Sequence, residues 1–317
     1  MKIKLGVIMD SMISIDIKKD SSIAILLAAQ KRNYKIYYIN INNLFIKNNQ
    51  ACAIIEKLKI NLANKNWFTL YKKKNVYLSY LNVILMRKDP PFNMNYIYAT
   101  YILEMAEKKG VLIINKPKNI RNNNEKIFAL QFDDITPDSL VTKKYCEIKK
   151  FFDIHKDIIV KPLDSMGGKS IFRIKEKDKN HAVILETITN NEKTFCMIQK
   201  YLPSIKKGDK RILIINGKII PWCLYRIPKT GENRGNLAKG GIAVVKKITN
   251  TEFKIANKIS PVLKKMGLLI TGIDIIGEKL TEINITSPTG ICEIENYTCI
   301  SITKIILDMI EKKLQIL

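Results

Sequence analysis

Histidine and arginine are scarce in this chain, and several familiar catalytic signatures are missing. The two histidines, His155 and His181, cannot supply a multi-histidine metal centre, and no G-x-S-x-G stretch accompanies them, which argues against a Ser/His/Asp hydrolase. Both are expected on helix surfaces. The six cysteines (Cys52, Cys146, Cys196, Cys223, Cys292, Cys299) show no C-x-x-C spacing. The first ten residues carry no sustained apolar run of the secretory type, since Asp10 interrupts the strand-like stretch before it. Disulfides and a zinc site are therefore not expected, and most of the thiols read as small buried apolar groups. The longest apolar runs, such as residues 267–276, break at Gly, Thr or Asp, well short of the ~18–20 residues that a membrane span needs. A cytoplasmic protein with no membrane partner is the expectation. No G-x-G-x-x-G follows the first strand-like segment, so a dinucleotide-binding reading fails.

What is present is size and apolar content: 317 residues, 46% of them hydrophobic, enough for two domains at roughly 100–200 residues each. Basic residues outnumber acidic ones 54 to 29, a formal charge of +25 that would ordinarily point to nucleic acid or an anionic membrane. Here lysines run from Lys2 to Lys313 and outnumber arginines 47 to 7 in an Asn- and Ile-rich chain. A+T-rich coding produces that bias, so no specific nucleic-acid partner is expected. The arginines are the informative cations, because a guanidinium that pairs through two bonds with phosphate or carboxylate is not replaceable by lysine. Four of the seven, Arg87, Arg211, Arg226 and Arg234, fall in the segments singled out below.

Along the chain, strand-like runs at residues 3–9, 35–39, 83–87 and 111–114 alternate with helical ones at 21–31 and 96–108. That alternation implies a mainly parallel sheet covered by helices. Pro117 and the run Asn122, Asn123, Asn124 mark a boundary, which divides the chain into residues 1–121 and 122–317, the second part subdividing near residue 202. The rest reads as α+β. Helices are expected at 125–131, 143–155, 181–187, 251–266 (capping box Thr249 with Glu252, kink at Pro261) and 301–314. Strands are expected at 158–161, 171–174, 195–200, 210–215, 218–226, 268–276 and 280–286. Residues 228–241 form a loop with glycines at 231, 235, 240 and 241, expected to be a mobile lid.

Gly168, Lys169 and Ser170 imitate the end of a Walker A motif, but its first glycine would fall at Leu163, and a strand rather than a helix follows. A glycine-rich hairpin covering phosphates and an ordinary β-turn both remain open here. The sharper signal lies nearer the C-terminus. Glu282 and Asn284, two apart, share one face of a strand, and a three-residue hairpin loop at 277–279 would put Asp274 opposite Glu282. Two facing carboxylates repel unless a proton or cation intervenes. With an amide oxygen they suit Mg²⁺, a hard ion that bridges substrate phosphates. The alternative is an exposed polar sheet face. Lys126 and Lys161 add cations to the same half.

Taken in order, Asp10, Arg87-Lys88-Asp89-Pro90-Pro91-Phe92, Asn115-Lys116-Pro117, Asn124-Glu125-Lys126, Lys161-Pro162-Leu163-Asp164 and Met166-Gly167-Gly168 resemble the ATP-grasp superfamily, and within it the prokaryotic-type glutathione synthetases. The likeness continues through Tyr201-Leu202-Pro203, Gly208-Asp209-Lys210-Arg211, Arg226-Ile227-Pro228, Arg234-Gly235-Asn236 and Gly272-Ile273-Asp274, and ends in Thr281-Glu282-Ile283-Asn284 with Thr286-Ser287-Pro288-Thr289. The resemblance implies an N-terminal Rossmann-like parallel-sheet domain followed by an ATP-grasp fold. It implies condensation of γ-L-glutamyl-L-cysteine with glycine, driven by ATP, to give glutathione. By carry-over, Lys126, Lys161, Met166, Gly167, Gly168, Gln199, Lys200, Tyr201, Leu202 and Asp209 bind ATP. Asp274, Glu282 and Asn284 hold Mg²⁺ or Mn²⁺, Arg211, Arg226 and Arg234 act catalytically, and the protein is a homotetramer.

The chain departs from the family pattern in two places. It reads Thr289-Gly290-Ile291-Cys292-Glu293-Ile294 where the family usually has arginine in fourth position, and the lid continues into Ile242 where a basic residue is expected. Two competing readings stand beside the main one. A sister ligase acting on D-alanine or on protein termini is disfavoured by the Arg87–Pro91 block. A non-catalytic nucleotide or nucleic-acid binder is disfavoured by the opposed carboxylates.

Overall fold

The computed structural model describes residues 2–17, 19–64, 66–229, 232, 235 and 240–315. Strands β1 (Lys4–Ile8) and β2 (Lys35–Ile39) run parallel, joined by helix α1 (Ser21–Lys31), whose first turn is capped by Asp20 accepting from the Ile23 N–H at 2.8 Å. Their short β-branched runs are buried on both faces, as strands of a helix-covered parallel sheet must be. On the outer side of β2 lies an antiparallel group: β3 (Leu44–Lys47), β4 (Gln50–Ile60), β5 (Phe68–Leu70) and β6 (Lys74–Tyr77). Strand β7 (Val83–Met86), helix α2 (Met94–Glu107) and strand β8 (Leu112–Ile114) complete the sheet, in the order β3-β4-β2-β1-β7-β8 with β5 and β6 on β4. The expected parallel arrangement holds for its four parallel strands. Sequence reading finds no strands between residues 39 and 83. In β4 buried residues fill the first half without alternation, and only its last four residues, Lys57 to Ile60, alternate between exposed and buried.

Helix α3 (Pro117–Asn122) leads into the second half of the chain. A helix expected at residues 125–131 is only a 3₁₀ turn, Phe128–Gln131. Glu125 is instead committed laterally, its carbonyl accepting from the Ile283 N–H at 2.9 Å and its carboxylate from the Ile285 and Thr286 N–H groups. Next comes an antiparallel sheet of β9 (Ser139–Thr142), β10 (Asp157–Pro162), β11 (Phe172–Lys175) and β12 (Cys196–Lys200), in the order β11-β10-β12-β9. Helices α4 (Tyr145–His155) and α5 (His181–Thr189) cover it over a small core that includes Ile148, Ile158, Val160 and Ile198.

The last sheet has the order β15-β14-β13-β16-β17 and is antiparallel throughout: β13 (Asp209–Ile215), β14 (Lys218–Ile227), β15 (Ile242–Lys247), β16 (Ile270–Ile276) and β17 (Lys279–Asn284). Helix α6 (Asn250–Lys265) packs on it, opens with the expected Thr249–Glu252 capping box, and continues through Pro261. Helices α7 (Ile291–Tyr297) and α8 (Ile302–Lys313) close the chain. Strands β9 and β15 and helix α7 are elements that sequence reading leaves as loop. Most of the lid expected at 228–241, Arg234 included, lies outside the described residues. His181 is exposed at the start of α5, whereas His155 is half-buried against Phe151. Three cysteines are buried, Cys292 is half-buried, and Cys146 and Cys299 are exposed, so the expected burial of most thiols holds for half of them.

Two polar clamps tie the first sheet to the last elements. The Asn115 side chain accepts from the Leu269 and Ile270 N–H groups at 2.7 and 2.8 Å and donates to the carbonyls of Ile270 and Ile285 at 2.8 and 2.6 Å. Its removal would leave buried backbone groups without partners, each costing about 1–3 kcal/mol. Asn115→Ala is therefore expected to lower unfolding free energy by about 3 kcal/mol in urea titration; a loss below ~1 kcal/mol would show that water replaces the amide. At the other end, Arg32 of the α1 C-cap bonds Asp308 at 2.6 Å and Glu311 at 2.8 Å, both on α8, and Tyr34 donates to Glu311.

Candidate active site

Strand register assembles the site. Arg226 on β14 is the cross-strand partner of Asp209 on β13, Arg211 on β13 is opposite Asp274 on β16, and Asp274 is opposite Glu282 on β17. A row of charges thus crosses one face of the sheet. The Asp274–Glu282 pairing is as expected, by a different route. The hairpin loop has two residues, with Gly277 at φ +61°, so Ile276 faces Lys279 and Ile275 faces Leu280. A bulge then takes up Thr281, whose hydroxyl donates to the Asp274 carbonyl at 3.1 Å, and restores the opposition.

All ten residues expected to bind ATP line one cleft between the four-stranded and five-stranded sheets, together with Asp274 and Glu282. Lys126 donates to the Ser165 carbonyl at 2.7 Å and lies 3.3 Å from the Glu282 carboxylate. Lys161, at the end of β10, is buried and donates to the Thr281 carbonyl at 3.4 Å. Burial pushes its ammonium down to about 8, Glu282 working against that shift and Lys126 with it. Met166, Gly167 and Gly168 belong to the turn after β10, where both glycines have positive φ. Gln199 is buried and donates to Ser139, while Lys200 and Tyr201 bond laterally through their N–H groups to Asp138 and Asp157. Asp209 also lines the cleft, but one of its oxygens is engaged by Arg226 and the other is buried without a partner among the described residues. Burial raises its carboxyl to about 6 against the pull of Arg226. At Gly235 a Cβ would lie 2.2 Å from the Arg226 carbonyl, so only glycine lets this backbone sit against β14.

Arg211 grips Asp274 through two bonds, Nε at 2.8 Å and Nη2 at 2.7 Å, and Arg226 adds a third at 2.8 Å. Burial alone would raise Asp274, but the two guanidinium groups hold it well below the usual carboxylate range. The Asn284 amide donates to the same carboxylate at 3.2 Å. Asp274, Glu282 and Asn284 carry the hard oxygen donors that Mg²⁺ prefers. These donor types suit a divalent cation, although both Asp274 oxygens are engaged by the guanidinium groups and, among the described residues, no three His, Cys, Asp or Glu side chains gather in metal-holding geometry.

A second cleft, on the side of the first sheet, is lined by Asp10, Asp20, Arg87, Asp89, Arg211, Arg226, Asn284, Thr289 and Glu293 among others. Met166, Gly167 and Glu282 line both clefts, so the two meet there. Sequence reasoning did not assign Arg87, Glu125 or Glu293 to the site, although each lies in a quoted block. Glu125, next to Lys126, is the neighbour most open to detection from spacing.

Solved structures of ATP-grasp ligases share this fold. A Chryseobacterium gregarium RiPP-associated ATP-grasp ligase aligns with a TM-score of 0.64 at 16% identity over 98% of this chain and 97% of its own, and a D-alanine–D-alanine ligase from Bacillus anthracis with 0.59 at 16% over 99% and 97%. The models for the N-terminal and ATP-grasp domains of prokaryotic glutathione synthetase match residues 3–121 and 125–299. The glutathione synthetase of Buchnera aphidicola from Acyrthosiphon pisum is 56% identical over 98% of this chain and 97% of that protein, and that of Escherichia coli K12 is 51% identical over 99% of both. The chain belongs to the prokaryotic glutathione synthetase family.

Proposed function

We propose that this chain ligates γ-L-glutamyl-L-cysteine to glycine, converting ATP to ADP and phosphate and releasing glutathione. The observation that carries the reading is the meeting, at Glu282, of the cleft lined by Lys126, Lys161 and the Met166–Gly168 turn with a charged second cleft. A free carboxylate is inert to an amine, so the cysteinyl carboxylate oxygen first attacks the γ-phosphoryl group, and the protein has to align atoms and neutralise charge. Lys126 and Lys161 serve the phosphates as fixed cations, and the strand edge at 199–202 serves the adenine. Mg²⁺ on Asp274, Glu282 and Asn284 would neutralise phosphate oxygens. Glycine's amine then attacks the acyl phosphate, and Arg211 and Arg226 donate to the tetrahedral oxyanion. Arg234 would join them from the lid over residues 228–241. The reading divides the chain at residues 121 and 122, with a homotetramer in the cytoplasm as its setting; among the described residues no helix is long and apolar enough to cross a membrane.

Phosphate release that requires both γ-glutamylcysteine and glycine is the test, and release indifferent to either substrate would refute it. The charge of +25 plays no part in this reading. Titration with generic duplex DNA at ~150 mM salt is expected to show nothing tighter than the nonspecific range of about 10⁻⁴–10⁻⁶ M, and nanomolar binding with base preference would contradict that.

A further inference from the structure

Three consecutive residues, Asn124, Glu125 and Lys126, each reach a different part of the molecule. Glu125 holds the backbone at Ile285 and Thr286, and Lys126 lies beside Glu282. Asn124 makes two kinds of bond at once. Its Oδ1 accepts from the Lys126 and Ile127 N–H groups at 3.1 and 3.2 Å, an Asx turn that fixes the start of the segment bearing Lys126. Its Nδ2 donates across 39 residues to the Leu163 carbonyl at 2.9 Å.

Leu163 opens the turn that carries Met166, Gly167 and Gly168 into the cleft assigned to ATP. Its carbonyl and the next two are each taken by a donor from outside the turn: Leu163 by Asn124, Asp164 by the Phe92 N–H at 3.4 Å, and Ser165 by the Lys126 ammonium at 2.7 Å. Further along, the Lys169 N–H bonds the Met166 carbonyl at 3.2 Å and the Ser165 hydroxyl bonds the Lys169 carbonyl at 3.4 Å, contacts that shape the turn without aiming it. The three bonds at the root are unequal. The one from Phe92 is long, and Lys126 has to divide its donors between Ser165 and a phosphate. Asn124 lines neither cleft, and its short bond carries no such second duty.

We propose that Asn124 is a positioning residue of the nucleotide site, holding the 163–168 turn and the Lys126 segment at one spacing so that both meet the phosphates of ATP together. The proposal rests on the ligase reading above and deepens it. Without the Leu163 bond the turn samples other orientations, and ATP binding then bears the cost of ordering it.

The test measures calorimetric binding of a non-hydrolysable ATP analogue, and tryptic cleavage after the exposed Lys169, in Asn124→Asp and Asn124→Ser. Both substitutions keep an acceptor for the local turn and remove the amide donor. Serine is too short to reach Leu163 and adds no charge, so agreement between the two variants excludes a simple electrostatic effect on Lys126. Each variant is expected to bind the analogue about three- to tenfold more weakly, the range of one neutral hydrogen bond, and to be cut at Lys169 faster by a similar factor. The kcat at saturating ATP and the KM for γ-glutamylcysteine should stay within about twofold, because only the ordering of the nucleotide site has changed. Binding and Lys169 cleavage that both match the unaltered protein would overturn the proposal. So would failure of both variants to fold, or cleavage that rises equally at every site, since Asn124 then supports the whole chain rather than the turn. If the unaltered protein binds no analogue, the nucleotide reading fails and the positioning role with it. If it binds the analogue and the variants bind it equally well, that reading stands and the positioning role alone falls.

Discussion

Glu282→Gln is expected to melt within a few degrees of the unaltered protein and to release phosphate about a thousandfold more slowly, a loss of about 4 kcal/mol of transition-state stabilisation. Glu282 stands where the two clefts meet, opposite Asp274 and 3.3 Å from Lys126. The substitution keeps the shape and removes the charge. Lys126 retains the Ser165 carbonyl, so the fold loses one partly exposed ion pair and little stability. Turnover within tenfold of normal would remove Glu282 from the proposed metal site. Recovery of the variant at high Mg²⁺ would instead identify the defect as weaker metal binding.

Arg226→Ala has the largest expected cost to stability. Arg226 is buried between Asp209 and Asp274, and removing it leaves Asp209 with no counter-charge within bonding distance among the described residues. Breaking a buried pair from one side typically costs about 3–5 kcal/mol, because an uncompensated charge stays behind. Asp274 retains the Arg211 fork, so the damage should centre on Asp209. Adding Asp209→Asn should then recover most of the stability in urea denaturation while leaving phosphate release lost. If the double variant is as unstable as the single one, charge burial is not what Arg226 relieves, and its packing matters instead.

The opposition of Asp274 and Glu282 was legible because side chains alternate with a period of two, and the number of residues round the turn decides who faces whom. A three-residue loop and a two-residue loop followed by a bulge give the same pairing, so the chemistry was readable while the backbone route was not. The ten nucleotide-cleft residues come from three separated stretches, and no local period links them; they were recognisable through resemblance. The first half of β4 escaped because it is buried on both sides where its apolar residues cluster, which erases the alternation that marks a strand, and β3, β5 and β6 are only three or four residues long. Asn124 poses a different limit. Its residue type can be read off the chain, but which distant carbonyl it reaches is a property of the folded packing. The scarcity of arginine did carry information: Arg32, Arg121 and Arg173, outside the proposed site, all hold bonded carboxylates across segments.

The docking of α8 against α1 has a consequence for how the protein is made. Ile23, Leu26 and Ala29 share one buried cluster with Ile302, Ile306 and Ile310, and Arg32 reaches Asp308 and Glu311. During synthesis the first helix leaves the ribosome long before the last, and at roughly 5–20 residues per second its apolar face waits many seconds for its cover. A nascent chain of this kind offers a natural client surface to a chaperone until translation ends. Released chains that stop at residue 300 are expected to bind a hydrophobic dye and to sediment on warming, while full-length chains do neither; a soluble, dye-silent fragment would mean that the first sheet closes without its last helix.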